Sequence, residues 1–270
     1  MQLGVNVPNF GPGTDPGVLR EWARVVTGLG FDLLMVSDHV AVTPDVAQRY
    51  PEPFYDPFTT LSWLAGVCGD RVRLGTTVLV LPYRHPLLVA RMASSLHRLS
   101  GGRFVLGVGV GWARQEFDAL GVPFSERGWL TDDCLRVLRE TWGARGPDVP
   151  EVWVGGHSGP AIRRAAAFGD AWHPLRLPVA RMREVLAEHA LPGFAPRIAL
   201  RLTDAPVEGS DRPAGVGSLE QVAGDLRELR ELGSEVVVFD PYEGDPAQTL
   251  RPEEAWRSLT AVTEYWRKVS

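Results

Sequence analysis

Lysine is almost missing from this chain. Lys268 is the single lysine among 28 basic residues, and arginine supplies the rest. Cysteine is scarce as well. Cys68 and Cys134 both sit in helical patterns, and two thiols in 270 residues make no disulfide framework. They read as small buried apolar residues. No apolar run approaches the ~18 residues of a membrane helix. The opening MQLGVNVPNF has no basic n-region and enters a strand at once, so it is not read as a signal peptide. A basic excess is also lacking: 33 acidic against 28 basic residues give a formal net charge of -5, without the electrostatic footprint of a nucleic-acid binder. The six histidines, His39, His85, His97, His157, His173 and His189, show no H-x-x-H or H-E-x-x-H spacing. GHSGP lacks the final glycine of a nucleophile elbow. From these absences we expect a soluble cytoplasmic protein, with neither nucleic acid nor membrane as partner.

What is present is a regular alternation of strand and helix patterns. Strands are expected at Leu3–Val7, Phe31–Val36, RVRLGT, GGRFVLGVGVG, EVWVGG, DAWHPL, RIALRLTD and EVVVFDP. Helices are expected between them. The first covers Pro16–Leu29, with Asp15 as N-cap and Gly30 as its stop, and the last covers Pro252–Val269. Near-continuous apolar strands suit a parallel sheet covered on both faces. About eight strand–helix units match a (β/α)8 TIM barrel, whose typical length is ~250 residues. We therefore expect an α/β fold with residues 1–270 as one barrel domain. A doubly wound sheet is the competing architecture, and no long linker splits the chain in its favour.

In a barrel of this kind the chemistry lies at the C-terminal ends of the strands. Ser37-Asp38-His39 follow the second strand; Asp38 can accept hydrogen bonds, and His39 can donate them or titrate near neutral pH. Gly109-Val110-Gly111 follow the fourth. Their G-x-G-x-G spacing fits a dinucleotide fingerprint poorly, whereas the glycines allow backbone to lie close against a flat ligand. Gly155, Gly156, His157 and Ser158 end the fifth strand and open a helix, a ready phosphate site; simple capping by Ser158 is the plainer reading. His39, His85, His157 and His173 could meet at one mouth, which keeps a metal-dependent hydrolase open as an alternative.

LGVNVPNFGPGTDP, GFDLLMVSDHV, YDPFTTLSWLA, EFDALGVPFSERG, VWVGGHS, GDAWHPL and the long run from Arg71 to Trp112 occur in this order between residue 1 and about residue 175. As a set they resemble the bacterial luciferase-like flavin and deazaflavin oxidoreductases, in particular the branch that depends on coenzyme F-420, an 8-hydroxy-5-deazaflavin. The resemblance implies hydride transfer between the reduced deazaflavin and a small organic substrate. The alternative it carries is an FMN-dependent monooxygenase that uses O2. A cofactor-binding paralogue without turnover is a third possibility. Residue by residue, it implies ring contacts from Asp38 and His39 and a non-prolyl cis peptide at Thr77–Val78 that bulges against the ring. It also implies backbone contacts from Val110 and Gly111, and a phosphate loop of Gly155, Gly156, His157 and Ser158. His39 is the catalytic candidate, no metal is implied, and a homodimer is expected. Trp112 stands where a sugar-phosphate dehydrogenase of the family has a glutamate, which argues against that substrate. Phe10, Trp112 and Trp172 are candidates for an apolar substrate wall. The connection GARGPDVP, residues 143–150, is shorter than the family's usual insertion and is expected to open the cofactor mouth or alter an oligomer contact.

Overall fold

A computed structural model describes residues 1–144 and 146–269; Arg145, inside the short connection singled out above, and Ser270 lie outside the described residues. The first two units are β1 (Gln2–Asn6) with α1 (Pro16–Gly28), and β2 (Leu33–Val36) with α2 (Pro44–Ala47) and α3 (Pro57–Cys68). The third strand is split into β3 (Arg73–Thr76) and β4 (Leu79–Val80), ahead of α4 (Pro86–Leu99). Next come β5 (Phe104–Gly109) with α5 (Arg114–Ala119) and α6 (Arg127–Trp142), and β6 (Glu151–Gly155) with α7 (Gly159–Phe168). β7 (Ala171–His173) with α8 (Val179–Glu188), β8 (Arg197–Ala199), β9 (Arg201–Leu202) and β10 (Val216–Gly217) precede α9 (Leu219–Glu231), β11 (Val236–Asp240) and α10 (Pro252–Val269). Local chemistry sets the helix ends as expected. The Asp15 carboxylate accepts from Val18 N–H, Pro16 occupies the first turn of α1, and Gly30 follows at φ +72.

The strands run parallel in the order β7-β6-β5-β3-β2-β1-β11-β8. Isolated parallel bridges, Trp172 to Phe194 and Leu175 to Arg197, link the outer strands and close the sheet into the expected barrel. Strand period divides the side chains. Val5, Leu34, Leu74, Leu106, Val154 and Phe239 belong to the cluster packed under the helices. Leu33, Met35, Val105, Trp153, Ala171 and Val238 fill the bore. The same alternation brings Asn6, Ser37, Thr77, Gly109, Gly155, His173, Arg197 and Asp240 to the inner face at or near the mouth. Among the described residues no helix is long and apolar enough to cross a membrane.

Three local departures matter. β3 pairs with β5 through Gly75 and Val105, and β4 resumes with Leu79 opposite Val108, so one strand takes an extra residue between these points. The cis peptide implied by the resemblance is found there, between Thr77 and Val78. The bulge directs Val78 over two glycines: a Cβ on Gly109 would stand 2.5 Å from Val78 Cγ2, and one on Gly155 2.9 Å from Val78 Cγ1. The second departure is in RIALRLTD, read as one strand. It breaks at Leu200, and β9 pairs instead with β10. Gly215, at φ +83, lies so close to Ala199 that a Cβ there would meet its carbonyl oxygen at 1.8 Å. That approach draws the strand aside, and β10 is too short to leave a periodic signal. The third concerns the 143–150 connection. His97 on α4 has Nε2 at 2.9 Å from Pro147 O and Nδ1 at 3.1 Å from Phe104 O, where β5 begins. The connection therefore lies at the N-terminal ends of the strands. Its shortness does not open the mouth, contrary to the expectation from sequence, because a helix-to-strand link enters the barrel from the opposite end.

Candidate active site

The loop after β2 is fixed from below by Asn9. Its Nδ2 donates to Ser37 O at 2.9 Å and to Tyr55 O at 2.7 Å, and its Oδ1 accepts from Ser37 N–H at 3.0 Å. Asp38 and His39 then diverge, as neighbours at a strand end do. Arg84 donates to both oxygens of Asp38, Nη1 to Oδ2 and Nη2 to Oδ1, each at 2.7 Å, and Val80 N–H donates to Oδ2 at 2.8 Å. Asp38 thus acts on the mouth through β4, which it holds, and so through the bulge that carries Val78.

His39 has a partner that sequence reasoning did not assign. Its Nδ1 lies 2.6 Å from Oε2 of Glu116, a buried carboxylate on α5. Glu116 Oε1 accepts from Val40 N–H at 2.6 Å and Ala41 N–H at 3.1 Å, and Tyr83 donates its hydroxyl to Oε2 at 3.0 Å. Burial pushes the Glu116 carboxyl upward, but the hydrogen bond and charge of His39, with the two backbone donors, outweigh it and hold the pKa below the ordinary 4.5. An ionised carboxylate only accepts, so Nδ1 carries the hydrogen. The other ring nitrogen, Nε2, makes no hydrogen bond among the described residues. Around the imidazole stand Tyr50 at 5.2 Å, Phe54 at 5.4 Å and Trp112 at 5.8 Å between ring centroids. Trp112 is 50% exposed. Phe10 and Trp172, grouped with it as a substrate wall, are fully buried. Phe10 is enclosed by Tyr50, Phe54 and Tyr242, and Trp172 stacks on Phe194 and donates Nε1–H to Gly156 O. A position at a strand end does not tell which face a side chain takes.

A second polar network closes the bore beneath the bulge. Arg197 reaches across from β8, and its Nη1 donates to Thr77 O at 2.5 Å and to Thr77 Oγ1 at 3.2 Å. Thr77 Oγ1 lies 2.9 Å from His173 Nε2, and His173 Nδ1 lies 2.5 Å from Ala195 O. A backbone carbonyl only accepts, so Nδ1 holds the hydrogen, and the threonine hydroxyl donates to Nε2. Burial, assisted by the Arg197 charge and resisted by the bond to Ala195, lowers the His173 pKa from 6.5 to about 4. A histidine kept neutral by folding contributes stability that is full above the unfolded pKa and is lost as pH falls toward the folded one. Between pH 7 and pH 4 the wild type should therefore lose about 3 kcal/mol more than His173→Gln, at 1.36 kcal/mol per pKa unit. Urea denaturation at the two pH values measures the difference; parallel losses would contradict it.

The residues expected to hold a phosphate surround the start of α7. Gly156 takes φ +105, and Ser158 caps the helix, its Oγ accepting from Ala161 N–H at 3.4 Å. His157 and Ser158 are exposed, and their backbone N–H groups have no partner among the described residues. Val110 and Gly111 continue β5 at the rim. Gly111, at φ +79, is packed so tightly that a Cβ would meet Val80 Cγ1 at 2.7 Å and Phe117 Cε2 at 2.8 Å. His39, Thr77, Val78, Gly155 and Gly156 thus share one end of the barrel. The four histidines do not converge on a metal site: among the described residues no three His, Cys, Asp or Glu side chains form a candidate ligand group.

A sequence model described as luciferase-like monooxygenase matches residues 1–191. The chain belongs to that family. An uncharacterised protein of Mycobacterium tuberculosis is 30% identical to this luciferase-like chain over 181 residues, 56% of this chain and 62% of its own length. The phthiodiolone/phenolphthiodiolone dimycocerosates ketoreductase of the same organism is 27% identical over 228 residues, 70% of this chain and 60% of that one. The chain therefore spans about three fifths of the length of the curated relatives it matches. Among solved structures, the monooxygenase RslO1 of Streptomyces bottropensis superposes with a TM-score of 0.77 at 18% identity, over 99% of each chain. The oxygenating constituent of 3,6-diketocamphane monooxygenase of Pseudomonas putida, in complex with FMN, gives 0.75 at 15% identity over 100% of this chain and 98% of that one. An F420-dependent secondary alcohol dehydrogenase gives 0.71 at 15% identity over 97% and 98%. At these identities the likeness to solved structures is one of fold. The luciferase-like chain shares its fold with both an FMN-bound and an F420-dependent enzyme. Its mouth fits a group of that shape: Val78 over two glycines makes a low apolar platform, and free amides at the α7 N-terminus suit a phosphate.

Proposed function

We propose that this enzyme uses a reduced deazaflavin of the coenzyme F420 type to reduce the carbonyl of a small organic substrate. The observation that carries this reading is the His39–Glu116 pair, with His39 Nε2 unengaged at the mouth. Reducing a carbonyl to an alcohol takes a hydride on carbon and a proton on oxygen. A bound reduced deazaflavin supplies the hydride. His39 supplies the proton from Nε2, and Glu116 fixes the ring orientation and stabilises the charged imidazole. Val78, with Gly109 and Gly155 beneath it, would support one face of the cofactor ring. Gly156, His157 and Ser158 would hold its phosphate. The ketoreductase relative supports the choice of a carbonyl substrate.

Fluorescence quenching on titration with F420 and, separately, with FMN tests the cofactor. We expect tight binding of the deazaflavin, followed by anaerobic ketone reduction. Tight FMN binding with none for F420 would overturn the reading. Ser158→Ala should weaken cofactor binding by ~1–2 kcal/mol, the value of one charge-assisted hydrogen bond. Unchanged affinity would leave Ser158 as a helix cap alone.

A further inference from the structure

Two guanidinium groups share one carboxylate on the β11 side of the mouth. Asp240 Oδ2 accepts from Arg176 Nε at 3.1 Å and Nη2 at 2.8 Å, and from Arg197 Nε at 3.1 Å and Nη2 at 2.8 Å. Its Oδ1 accepts from Asn6 Nδ2 at 3.1 Å. The Asp240 side chain is 2% exposed, that of Arg197 12% and that of Arg176 31%. Among the described residues no other acid pairs with either arginine. Asn6, Thr77 and neutral His173 add no charge. The cluster therefore holds one net positive charge, partly withdrawn from water, a state that favours a counter-ion.

The two arginines differ in what they have left to offer. Arg197 directs Nη1 to Thr77. Arg176 donates Nη2 to Tyr242 O as well as to Asp240, but its Nη1 makes no hydrogen bond among the described residues. Arg176 is also the one non-glycine residue at positive φ among those described, at 52, with its N–H on Arg197 O at 2.8 Å. A bulky side chain rarely takes that conformation, so its direction is set by the surrounding contacts. Tyr242 connects this edge to the rings around His39. It lies 5.7 Å from Tyr50, which lies 5.2 Å from His39. Two aromatic rings, Tyr242 and Tyr50, thus link the positive edge to His39.

We propose that the substrate is an anion, a carbonyl compound bearing a carboxylate or comparable oxyanion that seats on Arg176 Nη1. Its apolar body lies along Tyr50 and Trp112, and its carbonyl reaches His39. This rests on the carbonyl-reductase reading for the reaction, but the anion site stands on its own geometry and is tested without turnover.

Benzoate and its neutral isostere benzamide serve as probes, titrated calorimetrically into wild type with and without cofactor. Benzoate should bind at least about tenfold more tightly, the scale of one charge-assisted hydrogen bond. Arg176→Gln should abolish that preference without changing the affinity for F420 or FMN. Equal binding of the two probes to wild type would overturn the proposal, as would a preference that survives in Arg176→Gln. If Arg176→Gln instead weakens FMN but not riboflavin, the charge serves the cofactor tail and the substrate assignment falls. Should that variant fail to fold, wild type alone decides: benzoate affinity must fall as chloride is added, and insensitivity to chloride overturns the proposal. Failure of wild type to bind either cofactor, with the benzoate preference intact, would remove the deazaflavin reading and leave the anion site.

Discussion

His39→Ala should lower the single-turnover rate of hydride transfer by about 10²–10⁴, the usual scale of acid–base assistance, while cofactor affinity stays near wild type. The imidazole is placed for this role by a contact far away in sequence. Glu116 holds Nδ1 at 2.6 Å and leaves Nε2 unengaged. Without the ring, the alkoxide that forms as hydride arrives must take its proton from water. Glu116→Gln keeps an acceptor for Nδ1 but removes the negative charge beside the ring, so its rate should fall between those of wild type and His39→Ala. Stopped-flow mixing of pre-bound reduced cofactor with a ketone separates chemistry from binding. A rate in His39→Ala equal to wild type would reduce His39 to a packing residue among Tyr50, Phe54 and Trp112.

Asp240→Ala should cost about 3 kcal/mol of folding stability, the low end for breaking a buried pair, because it leaves two partly buried cations without their counter-charge. Asp240 joins Asn6 on β1, Arg176 after β7 and Arg197 on β8. Its removal also frees Arg197, the donor to Thr77 beneath the bulge. Urea denaturation at pH 7 gives the size of the effect, and Asp240→Asn should recover part of it by keeping oxygen and volume. A loss in Asp240→Ala no greater than that of an ordinary exposed residue would mean that water solvates both guanidinium groups.

The barrel was legible because its determinants are local. Apolar strands, capped helices and glycine stops each occupy a short window, and eight repeats of the pattern leave few architectures. The positions of His39, Val78 and Ser158 at the mouth follow from strand ends alone. The implied cis peptide came through the resemblance, since nothing in the letters TTVLV marks it. The partners were less readable. Glu116 lies in EFDAL, a plain amphipathic stretch, and meets His39 only because α5 folds back over the β2 loop. In RIALRLTD, Arg197 looks like a solvated position. Only closure of the barrel turns it inward, and only the break after Ala199 separates it from Arg201, which faces solvent. Asp240 was visible at a strand end, but no local rule assigns it two arginines.

Arg197 also bears on how freely parts of this barrel can be exchanged. It stems from β8, beyond the residues 1–191 matched by the family model, and its guanidinium grips Thr77 on the opposite wall, within them. The two portions are thus not modular at the mouth. A chimera that retained residues 1–191 and took the remainder from a relative would inherit the bulge without the arm that braces it, unless a cation arrived at the same register. Any change in the C-terminal portion that displaces Arg197 therefore acts on the Thr77–Val78 bulge as well, through a single side chain laid across the bore.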